Sequence, residues 1–184
     1  MSDRSKHKNK ERKERIWGEF DYMVCCISLG LRFKYYRNRR NKTIVIELAK
    51  NKTLYVDFDL WSSSMQRAFV YREDVQLPVG LSSVKDLVIH EGQRKDVTVC
   101  RALKKWIHIL YTNDISFECC GDHVKITTEK CKEFEMQISF DANGVREAKY
   151  SLGIETYRFY FGQSLESVVF QTLDAIEKQE SKMA

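Results

Sequence analysis

The feature that most constrains the fold of this chain is a stretch of strict two-residue alternation that reverses at one Gly-Asp dipeptide. Apolar residues occupy every second position across residues 115–119 and 124–126, on either side of Gly121 and Asp122. Side chains alternate between the two faces of a strand, and glycine accepts the positive φ that tight hairpin turns require. The pattern therefore predicts an antiparallel hairpin rather than a helix.

The register of this hairpin follows from its turn. A two-residue loop places Cys119 opposite Val124 on the apolar face and Glu118 opposite Lys125 on the polar face, so the two faces agree. Three more alternating segments follow, at residues 134–140, 145–150 and 154–161, with an Asp-Ala-Asn-Gly turn at 141–144. The second half of the chain is therefore predicted to be an antiparallel meander.

A second hairpin is predicted between residues 43 and 60. A three-residue loop at 50–52 keeps the apolar residues on one face, whereas a two-residue loop would pair Ile46 with Tyr55 and mix the faces. The predicted pairs are Ile44 with Phe58, Ile46 with Val56, and Leu48 with Leu54. The opposite face would carry Thr43, Val45, Glu47, Tyr55, Asp57 and Asp59.

Three segments have the apolar spacing of an amphipathic helix. The first starts at Ile16 and is predicted to end at Gly30, with a strand over residues 23–27 as the alternative. The second follows Asp96 and the third follows Ser164, both of which are suitable N-cap residues. The residues predicted to face inward are Trp17, Phe20, Val24, Ile27 and Leu31; Val99, Leu103, Trp106 and Leu110; and Leu165, Val168, Val169, Leu173 and Ile176.

These elements predict an α+β fold. A further strand is expected near residues 68–71, followed by a long connection that contains the only proline, Pro78, and a turn at 91–93. An antiparallel meandering sheet with three helices packed mainly on one face satisfies this order. Residues 1–15 lack aliphatic and aromatic side chains and are predicted to be a disordered basic tail, with 16–184 as a single domain. The sequence shows no internal repeat.

Charge is distributed unevenly along the chain. Residues 1–42 contain 13 Lys and Arg against 5 Asp and Glu, a net charge of +8, whereas residues 43–184 contain 18 against 21, a net charge of −3. A basic end attracts polyanions such as nucleic acid or an acidic lipid surface, and it can equally be a solvated tail.

The composition predicts a cytoplasmic or nuclear protein that is not secreted. The start of the chain has no apolar signal-peptide region, and the longest nearly apolar run, residues 23–31, is too short to cross a bilayer. The six cysteines have no spacing of a secreted disulfide framework, so reduced thiols are expected. The two Asn-X-Thr sequons are then not expected to be glycosylated.

A basic and aromatic run at residues 32–42 is the first candidate site. Cations neutralise phosphates and aromatic rings stack on unpaired bases, so the interleaved pattern favours nucleic-acid binding. The alternative is a half-buried strand whose cations face solvent. The predicted anion-binding residues are Lys10, Arg12, Lys13, Arg15, Arg32, Lys34, Tyr36, Arg37, Arg39, Arg40 and Lys42.

An acidic face is the second candidate. In the predicted register, Asp57 and Asp59 share a face, and Glu47 is a diagonal neighbour of Asp57. Three such carboxylates could hold Mg²⁺ or Mn²⁺ for phosphoryl or nucleotidyl transfer. The string at residues 56–59 resembles the paired-aspartate strand of polymerase and primase palms. The simpler interpretation is the ordinary polar face of an antiparallel strand.

Cysteine and histidine spacing supplies a third candidate. Cys120, His123 and Cys131 have spacing that zinc could use. The hairpin register argues against it, because Cys119 faces the core whereas Cys120 and His123 face the other side. His90 and His108 have no accompanying nucleophile motif and are interpreted as structural or surface residues.

The sequence contains no motif that identifies a family, and it implies no cofactor. The leading hypothesis is a non-enzymatic binding module whose basic N-terminal segment contacts nucleic acid, as RNA or single-stranded DNA, or another anionic surface. One alternative is a protein-directed inhibitor or assembly factor, such as an immunity-type or viral structural protein. The other is metal-dependent transfer at the acidic strand cluster.

Overall fold

The computed structural model describes residues 15–91, 101–159 and 164–183. They form an α+β fold with ten antiparallel strands in one sheet and four α-helices. The helices are α1 (Glu19–Leu29), α2 (Val84–Glu91), α3 (Arg101–Thr112) and α4 (Leu165–Met183). The strands are β1 (Phe33–Arg37), β2 (Asn41–Ala49), β3 (Lys52–Asp59), β4 (Met65–Arg72), β5 (Val75–Val79), β6 (Phe117–Cys120), β7 (His123–Thr127), β8 (Phe134–Asp141), β9 (Gly144–Leu152) and β10 (Glu155–Arg158).

The sheet is built from two meanders that meet at its centre. Its strand order is β10-β9-β8-β7-β6-β1-β2-β3-β4-β5, and β1 pairs with β6 through Phe33 with Cys119 and Tyr35 with Phe117. Each half of the described chain runs helix, five-strand meander, helix. The architecture therefore repeats although the sequence shows no repeat, because core packing constrains only which positions are apolar.

One face of the sheet packs against the helices. Tyr35 of β1 lies 5.4 Å from the ring of Tyr111 in α3, and Phe58 of β3 lies 6.0 Å from that of Tyr22 in α1. Val88 of α2 and Val169 of α4 are fully buried in the same core. Among the described residues, no helix has the length and apolar composition needed to span a bilayer.

The predicted hairpin at Gly121 is confirmed. Glu118 pairs with Lys125 and Cys119 with Val124, and Gly121 has a φ of 66°. The predicted end of the first helix at Gly30 is also confirmed, since Gly30 has a φ of 68° and its N–H donates to the helix carbonyls. Both glycines occupy a left-handed conformation that other residues adopt only with strain.

The predicted register of the first hairpin is wrong by two residues. Ile44 pairs with Val56 and Ile46 with Leu54, and the turn contains only Lys50 and Asn51. Leu48 is an extra residue between two paired positions, so it forms a β-bulge. The bulge restores the alternation that a two-residue turn would otherwise disrupt, which is why the faces were predicted correctly and the pairs were not.

The predicted long connection after β4 is also wrong. It contains strand β5, a short 3-10 helix at Leu81–Ser83, and helix α2, so the described helices number four rather than three. Pro78 lies in β5, the edge strand, where a missing N–H breaks no ladder inside the sheet. The last predicted strand corresponds to β10, which ends at Arg158, and positions 160 and 161 of that prediction lie outside the described residues.

Some predictions fall on other parts of the chain. Residues 1–14 of the predicted tail, the N-cap residue Asp96, Val99 and most of the turn at 91–93 lie outside the described residues. The predicted strand at 68–71 is confirmed as part of β4, and the alternative strand at 23–27 is wrong because those residues belong to α1.

Candidate nucleic-acid interface

The face of β1–β4 that points away from the helices carries a cluster of aromatic side chains. Tyr55 of β3 and Phe69 of β4 are directly opposed, with ring centroids 5.1 Å apart and planes 7° from parallel. Tyr71 meets both rings edge-on, at 5.2 and 5.5 Å. Offset stacking and edge contacts are the favoured geometries of aromatic pairs, so these three rings form a rigid platform. We call it the aromatic platform.

A row of polar side chains crosses the same face beside the aromatic platform. Tyr36, Thr43, Asp57 and Arg67 occupy paired positions on β1, β2, β3 and β4. The Thr43 hydroxyl donates to Asp57 Oδ1 at 2.6 Å, and Arg67 Nε donates to Asp57 Oδ2. The Asp57 side chain is only 5% exposed, whereas that of Arg67 is 70% exposed. The carboxylate of the row is therefore buried, whereas its guanidinium is exposed to solvent.

Tyr36 closes the row at the centre of the sheet. Tyr36 is 37% exposed. Partial burial raises the pKa of its phenol, and the nearby Asp57 also raises it. The phenol therefore keeps its proton at neutral pH and can donate a hydrogen bond into the groove.

These side chains line a shallow groove. One hollow of about 810 Å³ lies between the polar row and the aromatic platform. A second hollow, of about 500 Å³, extends along the sheet toward Arg32 and Glu118 and shares Tyr36, Thr53 and Tyr55 with the first. The two form one continuous surface, which we call the aromatic groove.

The turn between β1 and β2 places two arginines at the rim of the aromatic groove. Asn38 Oδ1 accepts hydrogen bonds from the backbone N–H groups of Arg40 and Asn41, both at 2.8 Å, which fixes the turn. Arg39 and Arg40 are exposed and line the groove. Neither has an acidic partner within the described part of the chain, so both charges are available to an anion.

The other predicted anion-binding residues are less available. Lys10, Arg12 and Lys13 lie outside the described residues. Among those described, Arg15 contacts Asp21 at 3.1 Å, Arg32 and Lys34 contact Glu118 at 2.8 and 3.6 Å, and Arg37 contacts Asp114. These exposed pairs exchange readily with solvent. Arg39 and Arg40 are thus the members of the predicted set with the clearest access to phosphate.

The prediction of Lys42 as a surface cation is wrong. Its side chain is 11% exposed, and its Nζ lies 3.3 Å from Oε1 of Glu19, which is 2% exposed. Ser63 and the ring of Tyr111 complete its surroundings, at 3.4 and 5.8 Å. Lys42 faces the helices because it alternates with Thr43 and lies on the same side of β2 as Ile44 and Ile46. There it compensates a buried carboxylate.

The predicted acidic cluster does not assemble. Glu47 pairs with Thr53, whereas Asp57 pairs with Thr43, four residues along β2 and about 13 Å away. Asp59 accepts hydrogen bonds from the Trp61 and Ser62 N–H groups and the Ser62 hydroxyl, at 2.8 to 3.0 Å. These bonds lower the pKa of Asp59, and its role is to fix the β3–β4 turn.

Among the described residues, the cysteines and histidines also do not assemble into a group of three potential metal ligands. Cys120 pairs with His123 on the open face while Cys119 is buried, and burial raises the pKa of Cys119 to about 12. Within residues 15–91, 101–159 and 164–183, no three His, Cys, Asp or Glu side chains are arranged to hold a metal. His108 packs edge-on against Phe20 at 5.1 Å. His90 lies exposed on α2.

The open face of the other half of the sheet has a different character. Its charged residues pair with one another: Lys125 with Glu135 at 3.6 Å, and Glu147 with both Lys149 and Arg158 at 3.8 and 3.2 Å. Over the described strands β6–β9, the residues in register on this face include no Phe, Tyr or Trp. The aromatic groove is thus a property of one half only.

Sequence reasoning missed Arg67, Phe69 and Tyr71 as site residues. Tyr55 was placed on the correct face, and the alternation of 67, 69 and 71 would have placed these three on one face of β4. No protein-family model matches the chain, and no curated protein or solved structure matches it significantly. Function is therefore argued from the geometry of the groove.

Proposed function

We propose that this chain is a non-enzymatic binding module that holds single-stranded nucleic acid, as RNA or single-stranded DNA, in the aromatic groove. The observation that carries the proposal is the aromatic platform of Tyr55, Phe69 and Tyr71 on the sheet face that points away from the described helices, with the exposed Arg39 and Arg40 at its rim. Unpaired bases stack on aromatic rings, and arginines at the edge neutralise the phosphates that connect them.

The dimensions of the groove fit a short segment of nucleic acid. Its three cross-strand rows lie two residues apart, so they span about 13 Å along the strands, and β1–β4 span about 14 Å across. Sheet faces of this size stack two or three bases in known recognition modules. We therefore expect a core site of about two to four nucleotides.

The same geometry favours single strands over duplexes. The rings of the aromatic platform lie on a broad surface, and a duplex keeps its bases stacked inside the helix, where such rings have no access. Phosphate contacts alone would bind duplex and single strands alike. A preference for single strands would thus distinguish stacking on the aromatic platform from binding through phosphate contacts alone.

Fluorescence anisotropy with labelled oligonucleotides of about nine nucleotides tests the proposal. We expect the full-length chain to bind oligo-U RNA or oligo-dT more tightly than a duplex, and to bind less tightly at about 200 mM than at 50 mM salt. Tyr55→Leu and Phe69→Leu should each weaken binding by about fivefold or more, since stacking contributes ~1–3 kcal/mol per base.

Matched controls come from the other half of the sheet. Gln137 and Lys149 occupy directly opposed positions on the same face, as Tyr55 and Phe69 do. Gln137→Leu and Lys149→Leu should leave the affinity unchanged. The proposal fails if no single strand binds at low salt, or if the control substitutions weaken binding as much as those in the aromatic platform.

The basic N-terminal segment is proposed to add long-range attraction rather than specificity. Residues 1–14 include Lys10, Arg12 and Lys13, which would contact phosphate only. Deleting residues 1–14 should weaken binding to every oligonucleotide by a similar factor and reduce the salt dependence. An unchanged affinity after the deletion would remove the tail from the interface and leave the groove as the whole site.

A further inference from the structure

We propose that Arg67 reads guanine in the bound strand, by donating from its two terminal amino groups to O6 and N7 of the base. This inference rests on the proposed function of the aromatic groove and names the base it selects. Three features of the structure carry it: the way the guanidinium is fixed, the atoms it leaves open, and its position beside a stacking ring.

Asp57 and Thr43 fix the guanidinium. Arg67 Nε donates to Asp57 Oδ2, and the other carboxylate oxygen accepts the Thr43 hydroxyl at 2.6 Å. Because the Asp57 side chain is 5% exposed, its orientation is set by these two bonds and by the strands around it. A buried carboxylate that accepts a hydrogen bond at each oxygen holds the planar guanidinium in one orientation before any ligand binds.

The recognition edge of Arg67 remains open. Nε is the atom used by Asp57, and within the described chain no other hydrogen-bond or ion-pair partner of Arg67 is present. Its side chain is 70% exposed and lines the larger hollow of the groove. The two terminal amino groups therefore face the space that the nucleic acid would occupy.

A neighbouring ring supplies the stacking surface. The Arg67 guanidinium lies over the ring of Phe69, 5.9 Å from its centroid, and Phe69 stacks with Tyr55. A base that stacks on the aromatic platform beside this guanidinium thus brings its edge next to the fork of Arg67. Arg39 and Arg40 stand at the rim, where the phosphates would run, so phosphate binding does not require Arg67.

The chemistry of the fork selects one base. Guanine presents two acceptors, O6 and N7, side by side, and they match two parallel N–H donors. Adenine presents N7 beside an amino donor, which opposes the second N–H. Pyrimidines offer a single polar group on the corresponding edge, so among the Hoogsteen edges of the four bases only that of guanine satisfies both donors.

Four oligo-U RNAs of about nine nucleotides, differing only at one central base, test the inference in full-length protein. The central base is guanine, inosine, 7-deazaguanine or adenine. We expect guanine and inosine to bind equally, because both have O6 and N7. Each should bind about tenfold more tightly than adenine, and 7-deazaguanine should lose most of this advantage because it lacks N7.

Two substitutions connect the preference to the proposed residues. Arg67→Lys keeps the charge and replaces the planar fork with a single ammonium, so it should remove most of the preference for guanine over adenine while retaining binding to oligo-U. Thr43→Val removes one bond to Asp57 and should reduce the preference partly. Arg158→Lys, on the open face of the other half, should preserve it. Circular dichroism and thermal unfolding verify that each variant is folded.

The outcomes separate this inference from the proposed function. If all four oligonucleotides bind equally while Tyr55→Leu still weakens binding, the groove binds nucleic acid and the guanine inference is wrong. If Arg67→Lys weakens all four by the same factor, Arg67 contacts phosphate and the inference is also wrong. If none binds, both the inference and the proposed function fail.

Discussion

The two halves of the sheet share one architecture and differ in what they present to solvent. On the β1–β4 half the open face carries the aromatic platform and the exposed Arg39 and Arg40, whereas on the β6–β10 half it carries charges that pair with one another. The core faces of both halves are mainly apolar, and Lys42 at the end of β2 is an exception. The difference therefore lies entirely on the side of the sheet that folding leaves unconstrained.

This difference indicates where function resides. Core positions must be apolar and of suitable volume, so they carry little information beyond the fold. Aromatic rings on an open face leave apolar area in contact with water, and a cluster of such rings marks a candidate binding surface beyond what their mutual stacking contributes to folding. The self-paired charges of the other half satisfy themselves and need no ligand.

The largest predicted effect concerns the ion pairs of the two halves. Lys42→Met should lower the free energy of unfolding by about 3 kcal/mol, because it leaves the buried carboxylate of Glu19 uncompensated. Lys125→Met, in the exposed pair with Glu135, should cost less than about 1 kcal/mol. Urea unfolding at pH 7 measures both. Equal losses would show that burial does not distinguish the two pairs.

The second prediction concerns the salt dependence of binding. Replacing both Arg39 and Arg40 with Gln should reduce the slope of log affinity against log salt by about 1.4, since each single-strand phosphate contact contributes ~0.7. Replacing Lys149 and Arg158 with Gln removes the same charge from the other half, where both cations contact Glu147. That control should leave the slope unchanged; a similar reduction would mean that net charge alone attracts the ligand.

The third prediction compares opposed residues of the two open faces in the absence of ligand. A double-mutant cycle of Tyr55→Ala and Phe69→Ala should give a coupling energy of ~0.5–1.5 kcal/mol, as expected for stacked rings. The same cycle at Gln137 and Lys149 should give about 0.3 kcal/mol or less. Chemical denaturation of the seven proteins provides both values, and equal couplings would contradict a preformed aromatic platform.

Periodicity predicted the elements whose local signals agree with one another. The turn at Gly121 and the helix end at Gly30 were found because glycine marks a left-handed conformation in both places. The register around Leu48 was missed because a bulge inserts one residue without changing which side chains are apolar. The strand that contains Pro78 was not predicted because proline is tolerated in edge strands but not in central ones. The sequence alone does not show that this strand lies at the edge of the sheet.

The site was predictable only where it lies within one strand or turn. Tyr36, Arg39 and Arg40 were identified from the basic and aromatic run, and the structure places all three along the aromatic groove. Lys42 belongs to the same run, yet its partner Glu19 lies 23 residues earlier in the chain. The residues near Lys42 in the sequence therefore do not predict this ion pair. Arg67 lies in the groove because it pairs with Asp57 next to a bulge between β3 and β4. The sequence does not predict this strand register.

The smallest predicted effect compares the turns of the two halves at acidic pH. Asp59 accepts three hydrogen bonds in the β3–β4 turn, and these lower its pKa. A carboxyl whose pKa is depressed in the folded state stabilises the protein above its unfolded pKa, and that stabilisation is lost as the pH falls through the depressed value. Asp141, in the β8–β9 turn, accepts one bond, from Asn143 N at 2.8 Å.

We therefore expect Asp59→Asn to flatten the acidic limb of the stability curve more than Asp141→Asn does. Thermal unfolding between neutral pH and the acidic limit of reversible folding measures the slope, which linkage equates to the difference in bound protons between the unfolded and folded states. If Asp141→Asn flattens the curve as much as Asp59→Asn, the extra bonds of the β3–β4 turn do not stabilise the ionised carboxylate. The turn beside the aromatic groove would then be no more firmly fixed than its counterpart in the other half.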